Sequence, residues 1–275
     1  MKELPLIIFT LTMQAAIGAI VWATVLRFKN KKNQASQSST LIALLLSTIG
    51  MAASLVHLGK PHLALTSMSN LASSWLSREI FLSGGFFVLL LVFWWLERTG
   101  KAQNLQNSFS LLLSLTGLAA VFAMSQLYMQ TIIPAWQSVY TIVDFYATTV
   151  VLGAIVYYVT SGQEKLDTIP RLDLVILGVV LLQTAFLPGY MTGLGALAGA
   201  GQESAALLAG SLNLAVFCRW LCLLGGIFLL VLSRTGRLAS QASFLYVAVT
   251  VLAVGEFLGR YLFYASGIPI GFGIL

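Results

Sequence analysis

The chain has 275 residues, of which 58% are hydrophobic and only 9% are Asp, Glu, Lys or Arg. Its mean hydropathy of +0.90 excludes an ordinary soluble domain and indicates an integral membrane protein. The formal net charge of +6 does not indicate nucleic-acid binding, because the basic residues lie mostly in short connections between apolar segments. No polar stretch is long enough to fold separately, so residues 1–275 are predicted to form a single membrane domain.

Eight apolar segments predict an all-α protein with eight transmembrane helices. The first is long enough to cross a bilayer, which distinguishes it from a signal-peptide core. The Ser-rich segment 34–40 is predicted to be a polar linker, and Pro188-Gly189 to kink or end the sixth span. The connection 195–211 is predicted to contain a short surface helix. The predicted spans are 4–26, 41–59, 79–96, 108–128, 141–160, 172–194, 212–232 and 242–265.

Basic residues are distributed unequally between the two sets of connections. The connections after the first, third, fifth and seventh spans hold ten Lys or Arg residues, whereas the opposite side holds only Lys2, Lys60 and Arg78. Cytoplasmic loops of membrane proteins are enriched in basic residues. Both termini are therefore predicted to lie on the outer, periplasmic side, as an even number of spans allows.

Ionisable side chains within the predicted spans are the strongest indication of a functional site. Charge in hydrocarbon is costly, so it usually pairs, faces the protein interior and marks a functional position. The ionisable residues noted in the spans are His57, Glu79, Arg219, Glu256 and Arg260. The predicted topology places all five near the outer face of the membrane, where Gln14 of the first span could line the same cavity.

Purely structural interpretations of these residues remain open. Glu256 and Arg260 have the i,i+4 spacing of an intrahelical ion pair. Arg219 could bond backbone carbonyls or a lipid headgroup. Glu79 follows Arg78 at the predicted start of a helix, where a carboxylate complements the helix dipole.

His57 is the most informative of these residues. It stands at the predicted end of a span, just before Gly59 and Pro61. Imidazole can take up a proton near neutral pH, and a buried carboxylate nearby can do the same. A pair of proton acceptors suits a substrate that loses protons together with electrons, such as a hydroquinone.

Haem and iron–sulfur ligation are not predicted for this chain. Its two histidines, His57 and His62, are five residues apart at one end of one helix, so they cannot clamp a haem from opposed helices. An iron–sulfur cluster normally needs four cysteines, and only Cys218 and Cys222 are present. No metal site is predicted.

Four blocks of sequence resemble the membrane anchor subunits of dimethyl sulfoxide reductase. The blocks agree with that family in order and spacing over nearly the whole chain. They are Pro5-Leu6-Ile7-Ile8-Phe9-Thr10 followed by Gln14, His57-Leu58-Gly59-Lys60-Pro61 followed by Ser77-Arg78-Glu79-Ile80, Arg219-Trp220, and Gly255-Glu256-Phe257-Leu258-Gly259-Arg260.

The resemblance implies a quinol-oxidising anchor of eight helices with both ends outside, in a bacterial inner membrane. Such anchors bind and oxidise menaquinol during anaerobic respiration. They pass its electrons to a ferredoxin-like subunit with four iron–sulfur clusters, which feeds a molybdopterin-containing catalytic subunit. The anchor itself does not carry out the terminal reduction.

The resemblance also implies roles for individual residues. The family's quinol-oxidising histidine and glutamate correspond to His57 and Glu79. The expected quinol pocket comprises Gln14, His57, Glu79, Arg219, Glu256 and Arg260. Family members often have an arginine shortly after the proline of the histidine motif, where this chain has Leu63.

Three other functions are compatible with parts of the sequence. The anchors of polysulfide- and tetrathionate-type reductases share the general plan. A secondary transporter or proton carrier would also contain membrane charges, but no internal repeat is evident and the inner half of the predicted spans carries no charge, so no path across is apparent. A purely structural anchor would tolerate replacement of His57 and Glu79.

Overall fold

Eight long apolar helices make up most of the protein, which confirms the predicted all-α, eight-span fold. The computed structural model describes residues 3–29, 35–57, 70–100, 103–161, 171–234 and 242–271, and those ranges contain no β-strand. The spanning helices are α1 (Leu4–Lys29), α2 (Ala35–His57), α3 (Trp75–Thr99), α4 (Gln103–Met129), α5 (Val139–Ser161), α6 (Leu172–Ala196), α8 (Asn213–Arg234) and α9 (Ala242–Ala265). A short helix, α7 (Ala200–Ala209), lies between α6 and α8. The side of the membrane on which the termini lie stays a prediction.

The second helix begins earlier than hydropathy indicated. Segment 34–40 was predicted to be a linker, but α2 starts at Ala35. Its first turns are held by polar contacts: the Ser39 hydroxyl bonds the Thr160 hydroxyl at 2.6 Å, and the Gln37 amide donates to the Glu97 carbonyl at 3.3 Å. The linker prediction is therefore wrong, because side-chain hydrogen bonds to neighbouring helices support a polar helix end that apolar periodicity does not reveal.

The sixth helix does not end at its proline. Pro188 lies inside α6, which continues to Ala196. The Thr192 hydroxyl donates to the Pro188 carbonyl at 2.9 Å, within the helical segment that follows the proline. The carbonyl that loses its amide donor is that of Thr184, four residues before the proline, and membrane helices tolerate such an interruption. The short helix predicted in the connection 195–211 is confirmed as α7.

The described helices form two compact units. The first comprises Met1–Met124 and Thr148–Pro170, and the second comprises Ser125–Ala147 and Arg171–Leu275. The boundary between the units falls inside α4 and α5. The single membrane domain stays a prediction, because compactness does not establish which parts fold independently.

In the first unit, α1 packs against α5 at very short range. A Cβ atom at Gly153 would overlap the backbone of Gly18, and one at Gly18 would overlap the Thr149 carbonyl. One turn beyond this crossing, the Trp22 indole donates to the Val150 carbonyl at 3.0 Å. Small residues at a helix crossing allow this close approach, which replaces the hydrophobic effect as the source of association in lipid.

An ion pair between a partly exposed arginine and a buried carboxylate joins α1 to α3 in the same unit. The Arg27 guanidinium pairs with the Glu97 carboxylate and also donates to Gln106 of α4 at 3.0 Å. The sequence predicts Arg27 to lie in a loop, and it predicts that the inner half of the spans contains no charged residue. Both predictions are wrong, because Arg27 and Glu97 lie within the spanning helices and neutralise each other there. Asp173 also lies at the inner end of the predicted sixth span, 172–194.

Replacing Gly153 by alanine should destabilise the first unit by about 1–3 kcal/mol, as overpacking of a close contact does. The measurement is the unfolding temperature of the detergent-solubilised protein. Gly178→Ala is the matched control, since a Cβ at Gly178 of α6 meets no atom within 4 Å. Equal unfolding temperatures for the two variants would contradict the close crossing of α1 and α5.

Candidate functional site

The first unit contains the predicted site residues Gln14 and Glu79, and the end of the helix that carries His57. Gln14 is fully buried on α1, and Glu79 is only 6% exposed on α3. His57 is the last residue of α2, and its side chain lies outside the described residues. The structure thus locates the helix end that carries His57 but not the direction of the imidazole.

The turn that leads into α3 is fixed by its own polar groups. The Ser74 side chain caps the helix by accepting from the Ser77 amide at 3.4 Å. The Arg78 guanidinium donates to the carbonyls of Leu71 and Ala72, at 2.9 and 2.6 Å, and lies 4.2 Å from the centre of the Trp75 ring. Arg78 therefore stabilises the helix start and does not neutralise Glu79.

Glu79 lies deeper in its helix than the sequence predicted. The helix was expected to begin at residue 79, but it begins at Trp75, and its first turn contains no acidic residue. Because the favourable effect of a helix dipole fades within the first turn, the purely structural explanation of Glu79 as a helix-end carboxylate is wrong. Its position was missed because the polar residues 77 and 78 interrupt the apolar run.

The Glu79 carboxylate is buried without a salt bridge to any residue that the structure describes. The buried face of α3 continues from Glu79 to Ser83 and is apolar over the next turns, at Phe86 and Leu90. A carboxylate in such a place costs free energy unless something else in its surroundings stabilises it. Among the described residues of the first unit, Glu79 is therefore the best candidate for a functional proton acceptor.

The second unit is organised around an ion pair between Asp144 of α5 and Arg219 of α8. Both side chains are buried, and the Gln183 amide of α6 donates to the Asp144 carboxylate at 3.1 Å. Three spanning helices are thus tied together by one carboxylate. The alternative in which Arg219 bonds backbone carbonyls or a lipid headgroup is wrong, since its partner is an acidic side chain.

Asp144 is the functional candidate that sequence reasoning missed. It lies inside the predicted fifth span, 141–160, so the criterion that selected the other ionisable residues should have selected it too. Its partner could not be predicted, because residues 144 and 219 are far apart in sequence and helix adjacency cannot be read from a single sequence.

Two further predicted residues, Glu256 and Arg260, lie next to this ion pair. Both are almost fully buried on α9. The Arg260 guanidinium lies 3.8 Å from the centre of the Phe145 ring and interacts electrostatically with Asp144, while Glu256 interacts with Arg219. The structure therefore brings together three of the predicted residues, Arg219, Glu256 and Arg260. Ion pairing within the Glu256–Arg260 couple stays a prediction.

A cavity of about 110 Å³ adjoins the Asp144–Arg219 pair. Its walls are apolar and in part aromatic, and the Tyr140 and Tyr190 rings stack with their centres 4.8 Å apart. Trp220 and Phe263 contribute further ring surface. The cavity thus combines a polar end formed by a buried ion pair with walls suited to a flat apolar group.

The six predicted pocket residues are divided between the two compact units. Gln14, Glu79 and the end of the helix that carries His57 belong to the first unit, and Arg219, Glu256 and Arg260 belong to the second. A single pocket formed by all six stays a prediction. Within the described ranges, no cluster of three or more His, Cys, Asp or Glu side chains could hold a metal ion, and Cys218 and Cys222 are free thiols.

Eight apolar helices with buried ionisable groups on several of them define the class as a polytopic helical membrane protein. The protein belongs to the family of DMSO reductase anchor subunits (DmsC), which it matches over residues 1–266. The resemblance inferred from the sequence blocks is thereby confirmed.

Three relatives match the protein along nearly its whole length. The C subunit of the anaerobic dimethyl sulfoxide reductase of Haemophilus influenzae is 30% identical over 283 residues, which cover 99% of this sequence and 97% of the relative. Two Escherichia coli proteins, the anaerobic dimethyl sulfoxide reductase subunits YnfH and C, are 27% and 25% identical, with the same coverage.

Replacing Asp144 by asparagine should destabilise the protein by about 3–5 kcal/mol, because it leaves the Arg219 charge buried without its partner. Thermal unfolding of the solubilised protein measures the effect. Glu203→Gln, the same chemical change at an exposed position of α7, serves as the control and should leave the unfolding temperature unchanged. A double replacement, Asp144→Leu with Arg219→Met, should recover much of the loss. A double variant no more stable than Asp144→Asn would contradict this account of the pair.

Proposed function

We propose that this anchor subunit of a DMSO reductase-type complex binds menaquinol, oxidises it and passes its electrons to a ferredoxin-like iron–sulfur subunit. Membership of the anchor family over residues 1–266 supports the proposal. An anchor of this kind implies a membrane, an iron–sulfur subunit and a catalytic subunit as its surroundings. The bacterial inner membrane and a molybdopterin group in the catalytic subunit are parts of the proposal.

The buried carboxylate of Glu79 is the observation on which the mechanism rests. Oxidation of a hydroquinol releases two protons with two electrons, so the site needs groups that accept protons. Glu79 is a buried acceptor near the start of a spanning helix. It forms no salt bridge with any Lys, Arg or His that the structure describes. His57, at the end of α2, is the proposed second acceptor, which bonds a quinol hydroxyl and takes its proton.

The other predicted pocket residues have supporting roles in this proposal. Gln14, a fully buried amide on α1, would orient the quinol ring by a hydrogen bond. Three charged residues are predicted to share this pocket and would set its local electrostatic field: Arg219, Glu256 and Arg260. An iron–sulfur cluster of the partner subunit is the proposed electron acceptor.

The site is proposed to face the outer side of the membrane. This orientation follows from the excess of basic residues in the alternate connections. The iron–sulfur partner must approach the quinol, so it would dock on the same face. Protons released there do not cross the membrane, and the reaction itself would therefore not pump protons.

The proposal predicts that His57→Ala and Glu79→Gln each lower menaquinol-dependent turnover about 100-fold or more, the usual scale of general-base loss. Turnover is measured per assembled complex, in membranes, with the terminal acceptor present. An artificial donor that reduces the catalytic subunit directly should support unchanged activity in both variants, because it bypasses the anchor.

Glu97→Gln is the matched control for Glu79→Gln. It makes the same chemical change to another buried carboxylate of α3, one that is already paired with Arg27. This variant can lower the amount of assembled complex, but each assembled complex should keep its quinol activity. Unchanged menaquinol-dependent turnover in an assembled Glu79→Gln complex would refute the proposed role of Glu79.

The proposed orientation predicts which added cysteines react from outside the cell. Both native cysteines are first replaced by serine, and single cysteines are introduced at Gln202 in α7 and at Arg98 in the last turn of α3, both exposed positions. A membrane-impermeant thiol reagent applied to spheroplasts should label the Gln202→Cys protein and should not label the Arg98→Cys protein. The reverse pattern would place the termini in the cytoplasm.

A further inference from the structure

We propose that Ser83 is a positioning residue for Glu79: its hydroxyl holds the Glu79 carboxyl group, turned toward the middle of α3, once that group has taken a proton. The proposal rests on the proposed function for the source of the proton, a quinol hydroxyl. In this step the O–H bond of the quinol breaks and a new O–H bond forms on the Glu79 carboxylate. Ser83 neither gains nor loses a proton and changes only its hydrogen bond.

Ser83 has an unused hydrogen-bonding group in the interior of the first unit. It is 2% exposed and lies one helical turn from Glu79 on the same buried face of α3. Its Oγ atom is buried and has no hydrogen-bond partner among the described residues. A buried hydroxyl without a partner costs free energy, so a polar group that reaches Ser83 in another state of the protein is stabilised there.

Other buried serines of the spanning helices satisfy their hydroxyls within their own helix, as serines in helices commonly do. Four of them donate to a carbonyl three or four residues earlier, at distances of 2.7–3.0 Å: Ser47, Ser110, Ser114 and Ser233. The corresponding carbonyls before Ser83 are those of Glu79 and Ile80, yet its hydroxyl bonds neither. The Ser83 hydroxyl is therefore available to a side chain.

The spacing of Glu79 and Ser83 allows the two side chains to meet. Residues four apart on a helix are neighbours, with about 5–6 Å between their Cβ atoms. Helical side chains also lean toward the start of their helix, so Ser83 lies over the turn that carries Glu79. The Glu79 carboxyl group can therefore reach the Ser83 hydroxyl by rotation of its own side chain.

The surroundings of Ser83 favour the protonated form of the carboxyl group. The next residues on the buried face of α3 are Phe86 and Leu90, and an ionised carboxylate close to them would be poorly solvated. A neutral carboxyl group incurs a much smaller cost, and a hydroxyl can donate to its carbonyl oxygen. A proton on Glu79 therefore shifts the group toward Ser83, and loss of that proton releases it.

A contact between three helices marks the end of this polar region. A Cβ atom at Gly117 of α4 would lie 2.8 Å from the Ile17 side chain of α1 and 3.0 Å from that of Phe86 of α3. These two helices run in the same direction, and Gln14 and Ser83 lie three residues before Ile17 and Phe86, respectively. Polar groups of α1 and α3 thus reach the same level, and apolar side chains close the region beyond Ser83.

Infrared difference spectroscopy of the assembled complex tests the position of the carboxyl group. Menaquinol is added to the oxidised complex without a terminal acceptor, so that the proton stays on Glu79. A protonated carboxyl group gives a C=O stretching band apart from the amide bands, and its frequency rises when a hydrogen bond to that oxygen is lost. We expect a band that Glu79→Gln removes and that Ser83→Ala shifts to higher frequency. An unshifted band in Ser83→Ala would overturn the proposal.

Two further variants separate the Ser83 hydroxyl from general effects of substitution. Ser83→Thr keeps a hydroxyl and should keep the frequency of the wild-type band. Ser47→Ala makes the same change as Ser83→Ala at a buried serine of α2, whose hydroxyl bonds its own helix at 3.0 Å, and should also leave the band in place. A shift of equal size in Ser47→Ala would overturn the proposal.

Menaquinol-dependent turnover of the assembled complexes gives a second measurement. Ser83→Ala should lower kcat about 2- to 10-fold, the scale of one hydrogen bond. KM should stay unchanged, because Ser83 acts through Glu79 and does not contact the quinol. Ser83→Thr should restore kcat. A raised KM with an unchanged kcat in Ser83→Ala would overturn the proposal, since it would indicate direct contact with the quinol.

The infrared result separates this proposal from the proposed function. If no band depends on Glu79, and Glu79→Gln keeps its turnover, the role of Glu79 is refuted and that of Ser83 is refuted with it. If a band depends on Glu79 but has the same frequency in Ser83→Ala, only the role of Ser83 is refuted, and proton acceptance at Glu79 stands.

Discussion

The energetic cost of charge in hydrocarbon constrains this protein more than any other interaction. A lone ion in the bilayer interior is costly, so a buried charge is usually paired, and the position of its partner selects which helices lie together. Arg27 with Glu97 joins α1 to α3, and Arg219 with Asp144 joins α8 to α5. Apolar packing cannot provide this selectivity, because lipid tails compete equally for an apolar helix face.

Small residues complement these pairs in the first unit. The crossing of Gly18 and Gly153 brings the backbones of α1 and α5 together, and the hydrogen bond from Trp22 follows one turn later. Dispersion acts over short distances, and a crossing of glycines allows the two backbones themselves to come into contact. Ion pairs thus select the neighbouring helix, and glycines set the distance of approach.

The number of transmembrane helices could be predicted from the sequence because each helix is marked by its own run of apolar residues. Runs of apolar residues identified eight helices, and only their polar ends were misplaced, as at Ala35 and Trp75, where side-chain hydrogen bonds extend the helix. Partners of buried charges could not be predicted in the same way. Arg219 was recognised as significant, but its pairing with Asp144 could not be predicted, because a contact between distant helices leaves no local pattern.

The pairing of buried charges also separates structural groups from reactive ones. A carboxylate that neutralises an arginine, as Asp144 and Glu97 do, would break its ion pair if it accepted a proton, and the unpaired arginine would then be left buried at high cost. Glu79 forms no salt bridge with any described residue, so protonation of Glu79 breaks no described ion pair. A proton that reaches Glu79 removes a buried charge rather than creating one. We therefore propose Glu79, rather than Asp144 or Glu97, as the group that accepts a proton from the quinol, while the two paired carboxylates keep their charges and hold the helices together.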